Sequence, residues 1–197
     1  MKMTYLVGID EVGRGPVAGP VAVGIAAFPR GFDLHELSDV RDSKKHTVRQ
    51  REVIYTYLCE KRKAGELDFS VVFTTAAYID RHGIVPAIQK ALRNALKKLS
   101  LSGRNAELLL DGGLSAPEVF KKQQTIVRGD STERVISFAA IAAKVERDRL
   151  MEKMAKKYPE YGFERHKGYG THVHMEAIKR HGFSPLHRKS FLSHLAD

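Results

Sequence analysis

A chain of 197 residues, 43% hydrophobic and 28% charged, has enough apolar surface to bury a real core, which excludes a disordered or fibrous protein. Thirty-three Lys and Arg against 23 Asp and Glu leave a net charge of +10, a balance that points to a polyanionic partner such as nucleic acid. A single cysteine, Cys59, excludes an intrachain disulfide, and no apolar run reaches transmembrane length, so the expectation is a cytoplasmic protein, monomeric by default.

Residues 5–9 read as a compact apolar strand that opens too early to leave room for a secretory segment. Its tip carries Asp10 and Glu11, followed at once by Val12-Gly13-Arg14-Gly15-Pro16. Adjacent carboxylates concentrate negative charge that a cation or a proton must neutralise. Two glycines let the loop backbone approach a ligand closely, and Arg14 suits a phosphate. Strict alternation sends Asp10 and Glu11 to opposite faces, so they share a site only if the pleat breaks there, which Gly13 and Gly15 allow. Residues 21–28 form a second strand, paired back on the first as a hairpin.

A polar loop over residues 29–45 contains Asp42-Ser43-Lys44-Lys45. Thr47 with Gln50 gives a capping box that starts a helix, and Gly65 ends it. A third strand covers residues 69–74. Ile84, Ile88, Ala91, Leu92, Ala95, Leu96 and Leu99 then recur at helical spacing, the clearest amphipathic helix in the chain. Residues 107–110 form a short buried strand that delivers Asp111 to its tip, where Gly112 and Gly113 turn the chain away. Residues 124–127 read as a fifth strand with Asp130 just beyond. Residues 135–145 are apolar almost all round, as in a helix lying deep against a sheet, and the helix runs on through Met154 and stops before Pro159. A basic loop, a helix over residues 173–181 and a short terminal helix follow. The stretch from Lys144 onward holds 12 basic and 7 acidic residues, making it the favoured backbone-gripping surface.

This order predicts an α/β fold: a mixed sheet flanked by helices over residues 1–158, with a helical, basic C-terminal extension over residues 159–197 packed on that core. Ligands of such sheets bind at strand ends, and Asp10, Glu11, Asp111 and Asp130 all fall there. Four carboxylates sharing a small volume suit hard divalent cations, and two such ions drive in-line phosphodiester hydrolysis. Taken singly, Asp111 and Asp130 also fit a turn residue or a helix cap. Asp148 reads as a salt-bridge partner of Arg147, Arg149 or Lys144 and is left out of the site.

These residues give the chain its resemblance to the ribonuclease HII (type 2 ribonuclease H) family. The matching blocks, in order, are Asp10 to Pro16, Asp42 to Lys45, Asp111-Gly112, Gly129-Asp130-Ser131, Ala143 to Asp148, His166 to Thr171 and His187 to Phe191. The resemblance implies a ribonuclease-H-like fold and an endonuclease that uses Mg²⁺ or Mn²⁺, by a two-metal mechanism, to cut RNA paired with or embedded in DNA. The cut falls 5′ to the ribonucleotide, leaves 3′-hydroxyl and 5′-phosphate ends, and serves ribonucleotide removal. It implies metal binding by Asp10, Glu11, Asp111 and Asp130, and contact of the Gly13-Arg14-Gly15 backbone with the ribose 2′-hydroxyl, the group that distinguishes RNA from DNA. It implies that the Tyr169 ring packs on the following sugar, and it raises phosphate contact for Lys44, Lys45, Lys167 and Arg188. Ala140 and Gly113 depart from the family, which often has serine and a polar residue there. Arg14 argues against the related type 3 enzyme, which usually carries lysine in that loop.

Six of the nine histidines lie between His166 and His194, where they are expected on a nucleic-acid-facing surface or at helix caps. Phe191 and Leu192 offer a sliding clamp a docking pair, although two apolar residues in a terminal helix are usually core. Two rival readings stay open: an enzyme of this superfold confined to long RNA–DNA hybrids, and a basic duplex-binding module whose acids are structural.

Overall fold

The computed structural model describes residues 4–37 and 46–193. At its centre is a five-stranded mixed sheet in the order β3-β2-β1-β4-β5. The expected hairpin is formed by β1 (Tyr5–Val12) and β2 (Val21–Pro29), with β3 (Asp68–Thr74) antiparallel to β2 on the far side. On the other side of β1, β4 (Ala106–Asp111) and β5 (Gln123–Ile126) both run parallel to their inner neighbour.

Side-chain alternation along β2 builds two cores. Val21, Val23, Ile25 and Ala27 face a layer made by α2 (Ala76–His82) and α3 (Ile84–Lys98). Ala22, Ala26 and Phe28 face α1 (Val48–Lys63) and α5 (Arg134–Lys157). The predicted apolar stripe of α3 is the one it buries, from Ala87 and Ile88 to Ala95 and Leu96. Each large side chain so buried contributes roughly 2 kcal/mol. Thr47 and Gln50 make the predicted capping box at the start of α1.

Helix α5 lies unusually close to the sheet. A methyl group on Gly8 would fall 1.9 Å from the Val135 carbonyl oxygen, and one on Gly24 would fall 2.2 Å from that of Ala139. Glycine in the strands and alanine in the helix let the two backbones touch. That contact brings Ala140 and Lys144 of the helix to the C-terminal ends of β1 and β4.

The second half of α5 serves a separate small core. Met151 and Ala155 pack with Ala18, Tyr161, Phe163, Ile178 and Leu192, joining α6 (Phe163–His166) and α7 (His172–His181) to the main body. Several elements differ from expectation, including α6 and a 3₁₀ turn over Pro159–Tyr161, which fall in the stretch expected as a basic loop. Thr75 caps α2, a helix the apolar spacing did not reveal, and Gly83 at φ 87° separates it from α3. Asp130 lies just beyond β5 as expected, but inside a four-residue helix, α4 (Gly129–Thr132). The terminal helix is a single 3₁₀ turn, Lys189–Phe191. Among the described residues no helix is long and apolar enough to cross a membrane.

Candidate active site

The ladder between β1 and β4 stops at Ile9↔Leu110, whereas that between β1 and β2 runs on through Asp10↔Gly24, Glu11↔Val23 and Val12↔Ala22. The pleat therefore does not break at Asp10 and Glu11, contrary to the sequence expectation. Both acids instead lie beyond the last β1–β4 pair, where the sheet has opened, and both line one pocket of about 410 Å³. Glu11 is held towards the glycine turn by Arg14, whose Nη1 lies 3.0 Å from Glu11 Oε1. Asp111, the last residue of β4, lines the same pocket from the neighbouring strand end.

Asp130 stands behind this group. Its backbone N–H donates to Asp111 Oδ1 at 3.3 Å, and its carbonyl accepts from the buried Ser137 hydroxyl of α5. It is 1% exposed and does not line the pocket. Three of the four predicted acids thus line one pocket, and the fourth orients Asp111 through its main chain while its charge also acts on Asp10.

Burial first, then the charges of Asp111 and Glu11, push the Asp10 carboxyl well above the usual carboxylate range. Its Oδ1 accepts the Glu11 backbone N–H at 2.7 Å. Burial raises Glu11 as well, offset by Arg14. Carboxylates that repel one another in a sheltered place are short of positive charge, and their oxygens are the donors hard divalent cations choose. Among the described residues no three acidic, histidine or cysteine side chains are already drawn into a cage for one ion. The donor set fits such a cation in chemistry.

The turn Gly13-Arg14-Gly15 and Tyr169 line the same pocket. A methyl group on Gly15 would lie 3.9 Å from Tyr169 Cε1, so the half-exposed ring stands over the turn. Backbone bonds hold these segments together. Val17 and Ala18 N–H donate to the Gly168 carbonyl at 2.9 and 3.1 Å, Gly19 N–H to Leu186, and Arg188 N–H to Val17, both at 2.8 Å.

The family model described as Ribonuclease HII matches residues 7–194 of this chain. The chain is 44% identical over 186 residues to ribonuclease HII of Chlorobium luteolum, covering 93% of this chain and 86% of that one. It is 42% identical to ribonuclease HII of Fusobacterium nucleatum, covering 100% and 90%. The chain belongs to the ribonuclease HII family. Members of that family are type 2 ribonuclease H endonucleases. The crystal structure of ribonuclease H2 from Pyrococcus horikoshii superposes with a TM-score of 0.73 at 28% identity, covering 95% of this chain and 93% of that one.

Against the family expectation, two predicted substrate contacts are not in the ribonuclease HII pocket. Arg188 is fully buried, and its guanidinium donates to the carbonyls of Gly19, Arg14 and Gly13. Lys167 turns its ammonium to Glu152 at 2.9 Å and to the Glu164 carbonyl, while its own carbonyl accepts from Arg147. Lys44 and Lys45 lie outside the described residues. Ala140 lines the pocket, so its departure from serine leaves a methyl group there, whereas a Cβ at Gly113 would meet nothing within 4 Å. Lys144 pairs with Asp148 at 2.8 Å, as expected of Asp148.

Sequence reasoning missed two basic pocket residues, Arg51 and Lys144. The spacing held a signal for the second. Lys144 follows Ala140 by one helical turn and Ser137 by two, on the face of α5 that meets the acids. The histidines also depart from expectation. His174 and His187 are buried, not surface-facing, and their Nε2 atoms lie 3.1 Å apart. Because Ser184 N–H donates to His187 Nδ1 at 2.9 Å, the proton of His187 sits on Nε2 and points at His174. His174 then donates from Nδ1 to the Tyr169 carbonyl at 2.8 Å. Leu192 is buried and Phe191 packs beside the main core, with the Arg188 guanidinium 5.2 Å from its ring, so this pair is used for packing.

Proposed function

We propose that this protein is a divalent-metal-dependent endoribonuclease that hydrolyses the phosphodiester 5′ to a ribonucleotide, either embedded in duplex DNA or within the RNA strand of a hybrid. The products carry 3′-hydroxyl and 5′-phosphate ends. One observation carries this reading: a single pocket is lined by three carboxylates and by a glycine turn with a tyrosine ring beside it.

Asp10, Glu11 and Asp111 would hold Mg²⁺ or Mn²⁺, with Asp130 positioned to join them. When bound, paired ions lower the pKa of the attacking water and steady the departing oxygen. The protein's own groups do the rest. The backbone of residues 13–15 reads the ribose 2′-hydroxyl, which only RNA presents. Tyr169 packs on the next sugar, where a deoxyribose leaves room for its ring. Arg51 and Lys144 supply positive charge for the phosphate backbone. Small residues on α5, ending with Ala140, keep the pocket floor low enough for a duplex strand to reach the acids.

The test is cleavage of three duplexes of one sequence: all-DNA, DNA with one ribonucleotide, and a uniform RNA–DNA hybrid. The expected result is a cut 5′ to the single ribonucleotide, none in all-DNA, and full loss with a chelator. A strong preference for the uniform hybrid rejects the single-ribonucleotide specificity, and cutting that survives chelation rejects the metal.

A further inference from the structure

Among the described residues, two buried cations behind the glycine turn form no ion pair with a carboxylate; Asp148 and Asp80 act on them only from a distance. Arg147 and Arg188 are both 0% exposed. Arg147 donates from Nε to Pro20 at 3.0 Å, from Nη1 to Lys167 at 3.0 Å and from Nη2 to Ala18 at 3.3 Å, each time to a backbone carbonyl. Arg188 does the same from Nε to Gly19 at 2.9 Å, from Nη1 to Arg14 at 3.0 Å and from Nη2 to Gly13 at 2.7 Å. Burying a charge is costly, and an apolar side chain of similar volume fills such space at less cost. Packing alone therefore does not explain two adjacent guanidiniums here.

Their geometry supplies a reason. No peptide bond among the described residues is cis. In a trans peptide the C=O and N–H of one unit point in opposite directions. The Gly13 carbonyl is drawn inward by Arg188 Nη2, so the N–H of Arg14, in the same peptide unit, faces outward. The Arg14 carbonyl is drawn inward by Nη1, so the N–H of Gly15 faces outward too. Outward is the pocket that residues 13–15 line. Neither N–H meets an acceptor among the described residues. Gly13 makes the arrangement possible, because at φ 90° a side chain there would lie 2.2 Å from Arg147 Nε.

We infer that Arg188 is a positioning residue for sugar recognition: it aims the N–H groups of Arg14 and Gly15 at the 2′-oxygen of a bound ribonucleotide. Substrate never touches it. Arginine is required because one rigid planar fork must span three carbonyls, which a lysine ammonium on a flexible stem does not do. The inference rests on the function proposed above, and its test separates the two.

The test measures binding of two metal-free duplexes that differ by one 2′-oxygen, by fluorescence anisotropy, for the native protein, Arg188→Ala and Arg188→Lys. The native protein is expected to prefer the ribonucleotide duplex. Arg188→Ala should lose about tenfold of that preference, the worth of one or two backbone hydrogen bonds. Arg188→Lys should lose it likewise, and guanidinium chloride at a non-denaturing concentration should restore it to Arg188→Ala. A folded Arg188→Ala with undiminished preference overturns the inference and leaves the proposed function standing. So does an equal loss on both duplexes, which marks a merely structural role. A native protein without preference overturns both. If Arg188→Ala does not fold, amide NMR of the native protein decides: the Arg14 and Gly15 resonances should shift with the ribonucleotide duplex and not with all-DNA, and unmoved resonances overturn the inference.

Discussion

The carboxylates at the ends of β1 and β4 and the guanidiniums of Arg147 and Arg188 are two like-charge clusters flanking the same turn, and the fold completes only one of them. Each guanidinium has three nitrogens bonded to backbone carbonyl oxygens, so the hydrogen-bonding needs of the positive cluster are met inside the protein. Burial and then the like charge of Arg147 pull the pKa of Arg188 down, yet a guanidinium stays protonated at neutral pH. The negative cluster is compensated only in part, by Arg14 on Glu11 and by the Asp130 N–H on Asp111. Asp10 accepts one backbone N–H and is otherwise surrounded by acids. A region finished internally serves as framework, whereas a region left short of countercharge is where a ligand must supply it.

The largest expected effect breaks the acidic side of this contrast. Asp10→Asn should lower cleavage by about three orders of magnitude or more, since a metal ligand contributes several kcal/mol to the transition state. The same change should raise the melting temperature of the metal-free protein at neutral pH. A carboxyl raised in the folded state loses its proton first in the unfolded chain, so its ionisation costs stability as pH rises, and asparagine removes that cost. An unchanged or lower melting temperature would show that Asp10 is already compensated.

A smaller effect concerns the histidine pair that supports the Tyr169 carbonyl. Burial holds His174 and His187 down at about 4, below the ordinary 6.5. The unfolded chain therefore binds their protons first as pH falls. The stability they contribute is complete above about pH 6.5 and is lost progressively towards about pH 4. Ring-proton NMR should show both still neutral at pH 5.5, and midpoints near 6.5 would contradict the buried chain. The smallest effect lies away from both clusters. Thr47→Ala removes the α1 capping box and should cost about 1 kcal/mol in denaturant unfolding, with the preference for ribonucleotide duplexes unmoved.

Much of this was legible from residue order. Alternation and helical spacing gave the hairpin, α3 and the strand tips, because burial of one face is a local, periodic demand. The acids were found because two neighbouring carboxylates at a strand end have no capping role. Arg188 and Lys167 were misassigned because a basic residue in a basic segment is exposed by default, and only tertiary contacts reveal carbonyls converging on it. The histidines misled for the same reason: polarity suggested solvent, whereas His174, His187 and Ser184 satisfy one another inside. Helix α2 escaped because seven residues are too few to establish a period. Its Asp80 accepts from the N–H groups of Lys189 and Ser190 and so anchors the chain just past Arg188, a contact 110 residues long that no local pattern encodes.

The bond from Arg188 to the Gly13 carbonyl spans 175 positions, which gives the molecule an order of maturation during its synthesis. A ribosome finishes all four acids by residue 130, while the guanidinium that shapes the turn is still untranslated. A nascent polypeptide would thus carry Asp10, Glu11, Asp111 and Asp130 well before Arg188 could fix the shape of the glycine turn.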